Sequence, residues 1–386
     1  MLSLAVLSEN SSACEGITKM TRETGMFDVV YRVSPKDLHI PGIIRALYTH
    51  DPDLVLLDVN DWMSVTALTS QIKQSRLRGI LVGFRPGWNE IEQVMFQRAG
   101  VHYLLREPIS SAEMETVAYE ALHKERSITN PNILAFLPAK AGGGCSTVAL
   151  HTAAALAHGL SKSALLIEGD RRSGVYSIML NLSDRPGLDV ALRFGHAMTP
   201  VDWYQHVVRL SGFDLLPASP QHRTGRPIWA DYYQLLRYVQ KRYDYLLIDL
   251  PEVVNEATAE VVRAARSIFV VCTPEIASLK MARLRAEELQ ACEIPCERIQ
   301  VILNRQERNS PDARGLEEIL ERPIFGILPN DYGSLKAAMV ESRLAAPESP
   351  FAEACGTLAR KLGGLPEVVP ERPKFALLRK LSRIAG

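Results

Sequence analysis

A chain of 386 residues exceeds what one hydrophobic core normally organises, so two domains are expected, each able to bury a sizeable core. Its apolar fraction of 47% and charged fraction of 23% are those of an ordinary globular protein. Lys plus Arg and Asp plus Glu both total 44, which excludes a global field for nucleic acid or membrane and leaves only local patches for such partners.

From Leu2 to about Lys124, short β-rich runs (LSLAVLS, FDVVYRV, DLVLLDV, GILVGF, VHYLL) alternate with stretches of helical period. That rhythm predicts an α/β domain with a parallel sheet wound by helices, over residues 1–125. The polar stretch HKERSITNPN, His123 to Asn132, has no periodicity and reads as an interdomain linker, placed at 126–131. A second α/β domain, 132–365, restarts with NILAFL, a Gly-rich loop, an Ala-rich helix through about His158 and the strand ALLIE. Further strands are YDYLLID, SIFVVC, IQVILN and PIFGIL, with helical patterns at Asp231 to Tyr243 and Ile276 to Cys292. Residues 366–386 form a Pro-rich spacer and a basic tail.

Cysteines Cys14, Cys145, Cys272, Cys292, Cys296 and Cys355 are scattered through long apolar segments, and no basic-then-apolar leader stands at Met1. A reducing cytoplasm is the expected location. Cys292 and Cys296 have no second Cys or His pair to complete a zinc site, and no apolar run is long enough to cross a bilayer.

The chemistry is carried by Pro138-Ala139-Lys140-Ala141-Gly142-Gly143-Gly144-Cys145-Ser146-Thr147, which lies between an apolar strand and a helix. Glycines let the backbone approach phosphate closely, and the first-turn amides of the following helix point at the anion. Ser146 and Thr147 supply hydroxyls where a phosphate loop needs a Mg²⁺ ligand and a phosphate contact. The competing reading is a Gly-rich relic that holds no nucleotide. Cys145 is read as a small filler, with a thiol made reactive by the helix N-terminus as the alternative.

This loop resembles the deviant Walker A of MinD/ParA proteins, K-G-G-x-G-K-[ST]-T, with Lys140 at the signature lysine and Ala141 for the first glycine. Cys145 stands where the family's phosphate-binding lysine reaches the β- and γ-phosphates. One lost charged hydrogen bond costs about 1.5 to 3 kcal/mol of binding, and more in the transition state, so binding of ATP or ADP is expected with weak or no hydrolysis. The resemblance implies that Glu168 and Asp170 occupy the two switch-aspartate positions, with Asp170 the candidate for orienting the attacking water. It further implies that Ser146, Asp170 and Asp249 hold Mg²⁺, the last, at the Walker B position, through water, and that Asn304, ending IQVILN, recognises adenine. Lys140, Gly142, Gly143, Gly144, Cys145, Ser146 and Thr147 would line the phosphates, in a homodimer where Lys140 crosses to the partner.

Residues 1–125 resemble a response-regulator receiver, with Asp58 at the phosphoacceptor position after the third strand. Of the remaining receiver chemistry the sequence offers Ser8-Glu9-Asn10, Gly83-Phe84 and Glu107-Pro108, with Arg106 one place early. Without the lysine that pairs with the phosphoryl group, a pseudo-receiver used for docking is expected in place of a phosphorylated switch.

In the terminal KFALLRKLSRIAG, Phe375, Leu378 and Leu381 share one apolar side beside Arg379 and Lys380. Such a helix suits an anionic lipid interface, as in MinD-type proteins, or else docks on the protein's own surface. A degenerate receiver fused to an atypical MinD/ParA-like ATPase is the arrangement of the CpaE/TadZ family. That resemblance implies a localisation factor, cytoplasmic or peripheral at the inner membrane face, which recruits Flp (tight-adherence) pilus assembly and secretion components at a pole. An active ParA-type ATPase that positions DNA or other cargo, and a phosphorylated two-component output protein, are the alternatives. No basic stripe apart from the tail favours nucleic acid.

Overall fold

The structure, a computed structural model, describes residues 1–8, 10–33, 40–58, 62–75, 77, 79–101, 103–125, 130–183, 185, 187–194, 198–219, 221, 225–307 and 311–365. The apolar side of the tail, Phe375, Leu378 and Leu381, lies outside the described residues, as do Arg379, Lys380 and Glu9.

The first sheet contains β1 (Leu2–Leu7), β2 (Phe27–Val33), β3 (Leu54–Asp58), β4 (Ile80–Arg85) and β5 (Tyr103–Arg106). All its pairings are parallel, in the order β2-β1-β3-β4-β5. Helices cover both faces, so β3 and β4 are continuous apolar runs and do not alternate.

The second sheet contains β6 (Asn130–Pro138), β7 (Ala164–Glu168), β8 (Val208–Leu210), β9 (Phe213–Leu216), β10 (Tyr245–Asp249), β11 (Ala265–Cys272), β12 (Ile299–Gln306) and β13 (Ile324–Pro329). Its order is β13-β12-β11-β6-β10-β7-β9-β8, parallel throughout except at β8. Buried residues form one apolar layer on each face, around Leu165 and Ile248 on one side and Phe136 and Val148 on the other. The carboxyl ends of β6, β7, β10 and β12 thus meet at one rim, the place where open α/β sheets bind ligands.

Two features differ from the sequence reading. The β8–β9 hairpin was not anticipated, because its strands are too short for a periodic signal and its turn is only Ser211-Gly212. In the second place, residues at both ends of the polar stretch His123 to Asn132, just outside the expected linker 126–131, make specific contacts. The helix Ser111–Glu125 carries His123 to Glu260 at 2.7 Å, and Asn132 donates through its Nδ2 to the Tyr243 carbonyl at 2.8 Å.

One helix, Trp229–Val239, serves both sheets. Its Ala230 and Tyr233 complete the apolar cluster that includes Leu2, Leu4 and Phe27, while its Tyr232, Leu235 and Leu236 pack under the second sheet. Buried Asp53, just before β3, accepts from the Ser3 amide and hydroxyl, each at 2.9 Å, and from Gln234 Nε2 at 2.6 Å; it also pairs with Arg237. A second contact surrounds His123. Burial lowers the imidazole pKa, but the hydrogen bond and charge of Glu260 outweigh it and leave the pKa raised. The two sheets are therefore joined through a buried ionic and aromatic seam.

Candidate phosphate-loop site

The strand β6 ends at Pro138, and the chain turns through Lys140 to Gly144 into the helix Cys145–Gly159. Gly144 is the N-cap, at a φ of 84° in the left-handed region. A Cβ there would lie 2.4 Å from Asn304 Nδ2, so both conformation and close approach require glycine. Because a glycine caps this helix, no side chain from the cap competes for the first-turn amides, and they face the rim as an anion-binding end.

Asn304, at the end of β12, is buried and donates through Nδ2 to the Gly143 carbonyl at 2.9 Å. A carbonyl needs a donor, so this contact fixes the amide's orientation. Asn304 Oδ1 is then buried with no hydrogen-bond partner among the described residues. The residue is part of the lining of a cavity of about 480 Å³, together with Gly144, Thr147, Arg305, Pro329, Asp331 and Tyr332, among others. Arg305 donates to the Gly142 carbonyl at 2.9 Å, which ties the loop to β12 a second time.

The carboxylates at the ends of β7 and β10 are arranged differently from the sequence expectation. Glu168 is fully buried and accepts from the Ala218 amide at 2.8 Å and the Tyr176 amide at 3.3 Å. Burial pushes its pKa to about 7, against the pull of those backbone donors. It is a tie between β7, β9 and the helix Val175–Met179 rather than a group facing a ligand. Asp170 is half-exposed and accepts from the Arg172 amide at 2.9 Å and Ser173 Oγ at 3.0 Å. That closes a local turn.

Asp249 is 3% exposed. Its carboxylate accepts from Tyr176 Oη at 2.9 Å and from the Ser146 and Cys145 side chains. Burial raises its pKa to about 6, with those three donors opposing. A serine hydroxyl can donate to a carboxylate and still ligate a metal, and the hydroxyl of the fully buried Tyr176 engages one of the two Asp249 carboxylate oxygens. Ser146 and Asp249, two of the residues expected to hold Mg²⁺, are thus in hydrogen-bond contact with each other, while Asp170 closes its own turn.

Cys145 is buried, and burial together with the charge of Asp249 raises its thiol pKa well above the ordinary value. The thiol stays protonated, which removes the reactive-cysteine reading and leaves the small filler. Lys140, which carries the signature position, pairs with Glu275 at 2.9 Å on the surface. The amide of Ala141 donates to Glu252 Oε2 at 3.1 Å. The structure therefore gathers Lys140, Gly142, Gly143, Gly144, Cys145, Ser146, Thr147, Asp249 and Asn304 at one rim, with Asp170 near Asp249. Sequence reasoning missed Tyr176, Glu252 and Glu275. Only proximity to Asp249 in LIDLPE hinted at Glu252, and nothing local marks the other two.

At the far end of the first sheet, Asp58 accepts from Ser8 Oγ at 2.8 Å. Burial first, and the charge of Asp58 second, raise the Glu107 pKa.

No family model matches the chain. It is 26% identical over 238 residues to an uncharacterised ATP-binding protein of Methanocaldococcus jannaschii, which covers 60% of this chain and 87% of that protein. It is also 26% identical over 245 residues to the septum site-determining protein MinD of a Synechocystis species, covering 60% and 89%. A solved structure of a ParA family ATPase from Chlorobium tepidum matches with a TM-score of 0.55 at 21% identity, over 59% of this chain and 98% of that one. Among the described residues, no helix is long and apolar enough to cross a membrane.

Proposed function

From a chain that is MinD/ParA-like in sequence and fold over 60% of its length, we propose an adenine-nucleotide-binding positioning factor of the CpaE/TadZ type that places Flp pilus assembly and secretion machinery. The observation that carries the nucleotide half is Asn304 Oδ1, a buried acceptor without a partner among the described residues beside the phosphate loop. Leaving such an acceptor unsatisfied costs about 1 to 3 kcal/mol, and the exocyclic amine of adenine is a donor of the right kind to recover it. Guanine presents a carbonyl at the same ring position, which would repel.

Cys145 brings no charge to the phosphates, so nucleotide acts here as a bound effector with slow or no turnover. Lys140 is half-exposed, and a surface ion pair such as that with Glu275 is a weak restraint. It is therefore free to cross to the partner's phosphates in a homodimer. The amino-terminal sheet, in the order shared by flavodoxin-like folds, serves as a pseudo-receiver for docking pilus components. Asp58 there has Ser8 as a neighbour, and Glu107-Pro108 follow β5 where a receiver has its lysine, which supports docking over phosphorylation. The tail from Lys374 would add a membrane-surface contact, and dimerisation would double it.

Deletion of the gene from its native host tests the role. Pilin should still be made but not assembled into surface filaments, and a fluorescent fusion of the full chain should form a polar focus. Normal filaments in the deletion strain would refute the pilus assignment and leave the nucleotide reading standing.

A further inference from the structure

The helices Cys145–Gly159 and Pro350–Leu362 run side by side. Near their starts the Phe351 ring meets His151 edge-on at 5.2 Å, and near their ends a Cβ on Gly363 would stand 2.8 Å from Leu160 Cδ1. Along them lies a groove of about 750 Å³, lined by His151, Ala154, Ala155, Gly159, Ala352 and Gly356, among others. Its small side chains leave it open: a Cβ on Gly159 or Gly356 would meet nothing within 4 Å. The buried polar side chain in the lining asks for no ligand. His151 donates through Nδ1 to the Thr147 carbonyl at 2.8 Å and accepts through Nε2 from the Ala345 amide at 3.1 Å. What the groove can take is therefore apolar side chains.

We propose that it seats the chain's own carboxyl-terminal segment, with Phe375, Leu378 and Leu381 in the cavity, and so withholds the tail until lipid competes for the same apolar side. The membrane contact proposed above is then the second state of this segment, whereas the seat itself depends neither on that contact nor on nucleotide. Reach is sufficient. An extended spacer Pro366–Pro373 spans about 25 Å, and the way back along the last helix from Leu362 to Ala352 is about 15 Å. Length matches as well, since Phe375 to Leu381 at helical spacing covers about 9 Å and the groove from His151 to Gly159 about 12 Å. Charge is complementary. Exposed Glu353 lines the groove and exposed Glu348 follows Pro347 of the lining, while Arg343 is paired with Glu341. The tail brings Lys374, Arg379, Lys380 and Arg383 and no acid.

Trypsin digestion of the full chain, followed by mass spectrometry, tests the seat, because cleavage after Arg379 and Lys380 requires the segment to leave it. Those sites should be cut at least about tenfold more slowly than in a synthetic peptide Lys374–Gly386. Gly356→Leu, which fills the groove where a Cβ meets nothing, should raise the rate at least about fivefold, and the exposed change Glu353→Gln about twofold. Cleavage of the native chain as fast as the peptide, or an unchanged rate in a folded Gly356→Leu chain, would overturn the proposal. On vesicles containing phosphatidylglycerol, Gly356→Leu should bind at least about threefold more tightly than the native chain. Equal binding by the two would show that nothing is withheld and would overturn that half of the proposal. Slow cleavage with no vesicle binding by either chain would support the seat and remove the membrane contact from the reading above.

Discussion

Arg237→Ala is expected to destabilise the chain by about 3 to 5 kcal/mol, the range for stripping one partner from a buried ion pair. The lost guanidinium takes from Asp53, which is 2% exposed, the cation that pairs with it directly, while Ser3 and Gln234 remain as neutral donors. The arginine also lies against the Tyr233 ring, 5.8 Å from its centroid, so truncation removes packing as well as charge. Urea unfolding followed by circular dichroism measures the loss. Asp53→Asn in the same chain should recover part of it, because the amide no longer needs a cation. A loss below about 1 kcal/mol, or no recovery in the double variant, would show that the seam between the sheets is not held by this pair.

Cys145→Lys is expected to raise nucleotide affinity by roughly ten- to a hundredfold, the equivalent of one charged hydrogen bond. The position is the first residue of the helix Cys145–Gly159, at the end that offers its amides to an anion, so a lysine there adds a positive charge to that end. Hydrolysis should become measurable in the same variant, since charge that develops on the transferred phosphoryl group finds a cation. Titration with a fluorescent ADP analogue gives the affinity, and phosphate release gives the rate. An unchanged affinity would mean that the loop does not hold the phosphates at its amides, whatever its sequence resembles.

Much of the fold was legible in the sequence, because strands buried on both faces read as apolar runs and the Gly-rich turn marks the strand-to-helix junction. The loop residues and Asn304 were legible for a related reason: each sits at the end of an apolar strand, where chain order alone brings it to the rim. What escaped notice depends on contacts made at long separation. Tyr176 looks like one more aromatic in VYSIML, and only its hydrogen bond to Asp249, 73 residues away, places it beside the loop. His123 sat in a stretch whose polarity suggested a linker, yet its partner Glu260 is 137 residues distant. Glu168 reads as a conservative switch acid, and its burial beneath Tyr176 and Ala218 could not be seen from its neighbours.

The claim on which the rest depends is that Asn304 and the loop amides bind an adenine nucleotide. Its most direct measurement is a calorimetric titration of the purified full chain with ADP and, separately, GDP at millimolar concentration in the same buffer. The account expects a saturable heat with ADP and at least about tenfold weaker binding of GDP, because a buried acceptor meets a donor in one case and a second acceptor in the other. Equal affinities would contradict the role of Asn304, and no heat from either would contradict the account as a whole.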